Sequence, residues 1–226
     1  TGIIMIDGIQ TIFMGKLKHN PYYNSCGPEA IEQVDLQVTP LKTTYTFSDG
    51  QIELKLSFSS PLIITDLELM SRPVSYISYS IKSVDSKTHD CCVYIDFSSL
   101  MAVNTPDEEV IFGQTDKTVW CGRDKKNMLE VSGDDNRINW GYLHVSALDG
   151  ECGVATDRTK HQAYKSNTFP DSSIPSGLVK VSAGFPTIFY KNSCQVGNKP
   201  FASFVCVAYN DIHSLEYFGK KVDAYY

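Results

Sequence analysis

The carboxylates offer the first candidate chemistry. Asp134 and Asp135 sit side by side in Ser132-Gly133-Asp134-Asp135. They could act as an acid/base pair or as calcium ligands. An Asp in such a turn also caps backbone N–H groups, and adjacent residues seldom aim two carboxylates at one bond. A hydrolase built on Asp134 or Asp135 with Asp107 needs its carboxyls roughly 5–9.5 Å apart in a cleft. The run Asp107-Glu108-Glu109 reads more simply as a solvated acidic loop. His144 falls within a strand pattern, where a hydrogen-bonded structural histidine is the simpler reading. Arg72 and Arg137 could each grip a carboxylate bidentately, or form ion pairs within the domain. Trp140 and Tyr142, with Tyr22 and Tyr23, could form an aromatic platform for a sugar, or pack in a core or interface.

Other chemistries lack their residues. No G-x-S-x-G, P-loop, G-x-G-x-x-G or C-x-x-C occurs, and His19, His89, His144, His161 and His213 lack close metal-ligand spacing. No metal, cofactor or catalytic residue is expected. The net charge of −6 comes without a basic cluster, which argues against nucleic acid as a partner. No run of about 18 apolar residues is present, so no membrane span is expected. The seven cysteines are read mostly as small buried apolar residues. Chemistry that needs a partner would come from loops, so the elements that carry the loops come next.

Alternation of apolar and polar residues dominates the 226-residue chain. In Gln51–Phe58, Ile52, Leu54, Leu56 and Phe58 alternate with Gln51, Glu53, Lys55 and Ser57 after Asp49-Gly50, a hairpin signal. Two further runs, one with Ile77, Tyr79 and Ile81 and one with Cys91, Val93, Ile95 and Phe97, flank a polar break at 82–89 and predict a central β-hairpin. Short strands are expected around 3–6, 12–13, 34–38, 45–47, 110–112, 119–121, 128–131, 138–145, 179–181 and 187–190, with a doubly buried strand over 201–209. Residues 16–27 read as a loop. Residues 151–177, polar with Pro170 and Pro175, read as a long loop or insertion with a candidate helical turn near 158–164. About a dozen strands and little helical period predict one all-β domain over 1–226, a large two-sheet antiparallel sandwich with few or no helices. The abrupt start at Thr1 and the tail-less end at Tyr226 suggest a piece of something longer.

Several stretches, in order, carry a resemblance: Met14-Gly15; Val38-Thr39-Pro40 with Thr44-Tyr45-Thr46-Phe47; Ser71-Arg72-Pro73-Val74-Ser75-Tyr76; Ala102-Val103-Asn104-Thr105; Ser132 to Leu143; and Ser214-Leu215-Glu216-Tyr217-Phe218-Gly219. On these the chain resembles the N-terminal β-sandwich region of the glutaminase A family. The resemblance implies a sandwich preceding a helical toroid domain, in a secreted or periplasmic parent that hydrolyses glutamine to glutamate and ammonia. It carries no catalytic residue onto this chain. The expected role is packing on that C-terminal helical domain through the loops Asn104 to Asp107, Ser132 to Trp140 and Tyr217 to Gly219. A carbohydrate-binding module is the alternative, with a glycan or another small molecule as ligand.

Overall fold

The structure is a computed structural model that describes residues 1–15, 28–124, 133–134 and 137–223. Strand β1 (Gly2–Ile6) turns at Asp7-Gly8 into β2 (Ile9–Met14). Both turn residues have positive φ, 47° and 84°, as a tight Asp-Gly hairpin turn requires. β3 (Glu29–Ala30) adds to β2 in parallel. β4 (Glu32–Thr39), β5 (Lys42–Ser48) and β6 (Ile52–Ser59) form a meander. The expected Asp49-Gly50 turn closes it, with Asp49 Oδ1 accepting the amides of Gln51 and Ile52. A short helix α1 (Leu67–Ser71), capped by Asp66, leads to β7 (Val74–Ser83) and β8 (His89–Ser98). Then come β9 (Glu109–Thr115), β10 (Thr118–Arg123), β11 (Tyr142–Ala147) and β12 (Glu151–Ala155). Helix α2 (Asp157–Lys165) precedes β13 (Val179–Lys180), β14 (Thr187–Val196), β15 (Phe201–Asn210), β16 (Leu215–Tyr217) and β17 (Lys220–Val222).

Two large sheets result: six strands in the order β12-β14-β8-β1-β2-β3, and nine in the order β13-β9-β10-β11-β15-β7-β6-β5-β4. One apolar core joins them. Ile4, Val93, Ile95 and Ile188 of the first sheet meet Leu54, Leu56, Ile81, Val119, Leu143 and Val205 of the second. The all-β sandwich is therefore the observed architecture, and each buried aliphatic side chain contributes about 1.5–3 kcal/mol to it. At its centre the Tyr79 and Tyr190 hydroxyls bond each other across the sheets at 2.9 Å. Residue 79 comes from β7 and residue 190 from β14, so the two layers are pinned by polar as well as apolar contact.

Several expectations change. The runs of β7 and β8 are strands but not a hairpin: β7 lies between β6 and β15, whereas β8 lies between β1 and β14 in the other sheet. Alternation says which face of a strand is buried, not which strand pairs with it. β14 offers β8 ten register partners, from Ser98 to His89, which a local hairpin would have to surrender. The 151–177 segment is not simply a loop, because it contains β12 and α2. Thr156 caps α2, and its side chain and that of Thr159 form a reciprocal capping box. The reason for the helix lies in β8, which is buried on both faces. Its Tyr94, with Ile3, Ala155 and Phe189, forms a second cluster on the outer side of the six-stranded sheet, covered by Tyr164 of α2 and by Phe169. The 201–209 strand is buried on one side only: Val205 is enclosed, while Ala202 is exposed. The strand expected over 138–145 starts at Tyr142, and β14 continues past the expected 187–190 to Val196. The expected loop at 16–27 and strand at 128–131 lie outside the described residues.

Candidate functional site

At one end of the nine-stranded sheet, three loops converge. The first follows β8 through a short 3₁₀ turn (Ser99–Ala102), whose Leu100 amide is capped by the Ser98 hydroxyl. Beyond it, Glu108 folds back over its own loop. Its Oε2 accepts the amides of Asn104 at 2.6 Å and Thr105 at 3.1 Å. Its Oε1 accepts Asn139 Nδ2 at 2.8 Å and faces Arg123 Nη1 at 3.1 Å. Glu108 is thus a half-buried hub rather than part of a solvated acidic run. A carboxylate accepting several donors is stronger as a staple than a neutral acceptor would be.

The second loop is held to the first by the Asn104 side-chain oxygen, which accepts the Arg137 amide at 3.1 Å. It is held to β15 by Tyr209, whose hydroxyl donates to the Ile138 carbonyl at 2.9 Å and accepts the Gly141 amide at 3.2 Å. Burial pushes the Tyr209 phenol up to about 12. Gly141 is required by this close approach, since a Cβ there would stand 2.3 Å from the Asn210 carbonyl oxygen. The third segment joins through the Trp140 indole, whose Nε1 donates to the His213 carbonyl at 3.2 Å. His213 Nδ1 in turn faces Asp223 Oδ1 at 2.5 Å, at the foot of the β16–β17 hairpin. The rim of this assembly is apolar: a depression of about 410 Å³ is lined by Leu100, Met101, Arg137, Ile138 and Tyr209. The hairpin belongs to neither large sheet, and its tip exposes Tyr217 at 64% and Phe218 at 89%. Phe218 has φ 46°, a left-handed conformation costly for a bulky residue.

Of the residues singled out in sequence, Asn104, Arg137 and Trp140 belong to this assembly. Tyr142 lies beside it on β11, its ring edge-on to Trp120 at 5.1 Å. The Trp140 indole is tied to the His213 carbonyl; Tyr22, Tyr23 and Asp135 lie outside the described residues. Asp107 points away from the hub to an exposed ion pair with Lys180 at 2.9 Å. Asp134 lies in an exposed turn. Arg72 pairs with Glu68 one turn earlier on α1 at 2.6 Å, far along the sequence from the loops. The sequence reading missed Glu108, Arg123, Asn139 and Tyr209. Among the described residues, no group of three His, Cys, Asp or Glu side chains is placed to hold a metal. No described helix is long and apolar enough to cross a membrane.

Two charged clusters lie elsewhere. His89 is buried, with Nδ1 2.7 Å from Asp7 Oδ2 and Nε2 2.9 Å from Asp85 Oδ1. Hydrogen bonds to Asp7 and then Asp85 raise the imidazole above its ordinary range, and the bond from His89 lowers Asp85 to about 2. Both ring nitrogens are engaged, so the imidazole clamps the β1–β2 turn to the crossing between sheets and has no free lone pair for proton abstraction. Asp96 is buried on β8. Burial alone would raise its carboxyl, but the Lys160 ammonium at 3.3 Å pulls it down. His144 stays a structural side chain, half-buried on β11, with burial lowering its pKa.

Residues 41–226 match the family described as a domain of unknown function (DUF5127), and the chain belongs to that family. The resemblance to the glutaminase A family also holds. The chain is 27% identical over 229 residues to Glutaminase A of Aspergillus oryzae (strain ATCC 42149 / RIB 40). That match covers 97% of this chain and 32% of the Aspergillus protein, so the chain spans about a third of that curated relative. Among solved structures, it is similar to heparan sulfate lyase HepC from Pedobacter heparinus, with TM-score 0.41 and 8% identity over 80% of this chain and 22% of that one. It is also similar to the GH36 alpha-galactosidase AgaA from Geobacillus stearothermophilus, with TM-score 0.39 and 9% identity over 92% and 27% of the two chains.

Proposed function

We propose that the chain is a non-catalytic β-sandwich domain, spanning 1–226, of a glutaminase-like hydrolase that converts glutamine to glutamate and ammonia. Its task is to pack on a helical domain of the same parent, using the loops at 103–108 and 137–141 and the β16–β17 hairpin. The observation that carries this reading is the convergence of these loops into one braced face with exposed Met101, Ile138, Tyr217 and Phe218. A free sandwich needs only turns there. The similarity to Glutaminase A supports the parent activity, and the other two thirds of that protein supply the room for a further domain. A secreted or periplasmic setting is proposed on the family resemblance alone, and cell fractionation of the parent tests it.

Ammonia release from glutamine should be undetectable with this chain alone and present with the parent protein. Turnover by the chain at the parent's rate would overturn the reading. Deleting 214–222 from the parent should loosen the chain from the helical domain, seen as separate unfolding transitions where the intact protein gives one.

A further inference from the structure

The outward face of the nine-stranded sheet contributes nothing to the core and nothing to the loop assembly. Across β4, β5, β6, β7 and β15 its side chains run in two rows set by the register. One row is Gln37, Thr44, Ser57, Ser78 and Phe204. The other is Asp35, Thr46, Lys55, Ser80 and Ala202. Long charged side chains would ordinarily cover such a face. Here, apart from Lys55, the two rows on β5, β6 and β7 carry small hydroxyls, and they floor a groove of about 530 Å³. Four inter-strand spacings of about 4.8 Å make it about 19 Å long.

Thr46 is the second and independent observation. It borders the groove, it is only 6% exposed, and its hydroxyl has no hydrogen-bond partner among the described residues. The Thr44 and Ser57 hydroxyls bond each other at 2.8 Å, while those of Ser78 and Ser80 have no partner among the described residues. At one end stands the Phe204 ring, backed by Tyr76 at 5.9 Å between centroids. A hydroxyl both donates and accepts, so a row of unpaired hydroxyls suits a ligand that also does both along its length. An apolar ligand would leave the Thr46 hydroxyl dry and unsatisfied. Two lysines, Lys42 and Lys55, line the groove, but Lys55 is shared with Glu53 at 3.7 Å and Asp35 lies in the same row, so the positive charge is offset rather than clustered as a polyanion needs.

We propose that this groove binds a neutral oligosaccharide laid across the strands, with its hydroxyls on Thr46, Ser78 and Ser80 and one sugar-ring face against Phe204. The inference does not depend on the packing role or on the parent's reaction. It places sugar binding on β4 to β7 and β15, further across the outward face that also carries Tyr142.

The test is isothermal titration of the full chain with cellohexaose, maltohexaose and mannohexaose. At least one should bind with Kd below about 1 mM. Ser78→Trp, which fills the groove from its solvent side, should weaken that binding at least tenfold, and Phe204→Ala should weaken it several-fold. Circular dichroism reports whether each variant folds. Amide chemical shifts of the unmodified chain provide a readout that needs no variant, and they should move on β5, β6, β7 and β15. Failure of all three sugars to bind would overturn the proposal. So would binding that survives both replacements, or shifts confined to other strands. Loss of assembly with the parent's helical domain in Ser78→Trp, without sugar binding in the unmodified chain, would overturn it in favour of a protein-docking face.

Discussion

Removing the Glu108 carboxylate strands the amides of Asn104 and Thr105, the Asn139 side chain and the Arg123 guanidinium at once. Glu108→Ala should therefore cost about 2–3 kcal/mol in urea unfolding, because donors lose a shared charged acceptor in a half-buried site. Asp107→Ala, one residue earlier, should change stability by less than about 0.5 kcal/mol, since its pair with Lys180 is exposed. In sequence the two acids look alike. What separates them is Arg123 and Asn139, which arrive from other elements, so an acidic run read in isolation gives no sign of the hub. His89 was equally unmarked. Its raised pKa means that the charged imidazole stabilises the fold fully below about 6.5 and loses that contribution as pH rises through the folded value. The lowered carboxyls of Asp7 and Asp85 contribute above about 3.9 and lose their share as pH falls through their folded values. Thermal midpoints should be highest between those limits and decline on the alkaline side. His89→Gln should flatten that alkaline decline, and an unchanged profile would rule out the clamp.

Helix α2 and the segment to Phe169 act as a lid over a strand that is apolar on both faces. Phe169 stacks on Tyr94 with centroids 5.1 Å apart and planes at 6°. Phe169→Ala should cost about 2 kcal/mol by denaturant unfolding, below the usual range for a buried large aromatic because Phe169 is only partly enclosed. Only a turn of the helix, near 158–164, was legible in the sequence, because it has nine residues and buries only Ala163. The sign of it lay elsewhere. Tyr94 on the nominally outward side of β8 demanded cover, and the polar stretch after β12 supplies it. The individual strands were legible because alternation is local. Their pairing was not, because β8 finds β14 across nearly a hundred residues of intervening chain.

For the molecule as a whole, the two-layer sandwich followed from the density of short alternating runs, and the converging loops followed in part from their aromatic and polar composition. The projecting hairpin was legible only as the expected packing loop Tyr217 to Gly219, not as a pair of strands. A two-stranded ribbon of this length is marginal by itself, which is why its exposed tip bears on assembly. Phe218→Gly relieves a left-handed Phe at the expense of a looser unfolded chain, and these effects offset. Stability of the chain alone should change by no more than about 1 kcal/mol. Docking to the parent's helical domain should weaken tenfold or more, read by titrating the separately produced domains.

Strand β4 closes the nine-stranded sheet with all eight residues exposed, including Val34, Leu36 and Val38. Its outer backbone groups could template another chain and seed fibrils. The bulge between Gln33 and Asp35, together with the flanking acids Glu32 and Asp35, spoils that template by bending it and charging it. Straightening the bulge by deleting Val34, with Asp35→Thr to remove the charge, should make the protein scatter light and bind thioflavin on storage.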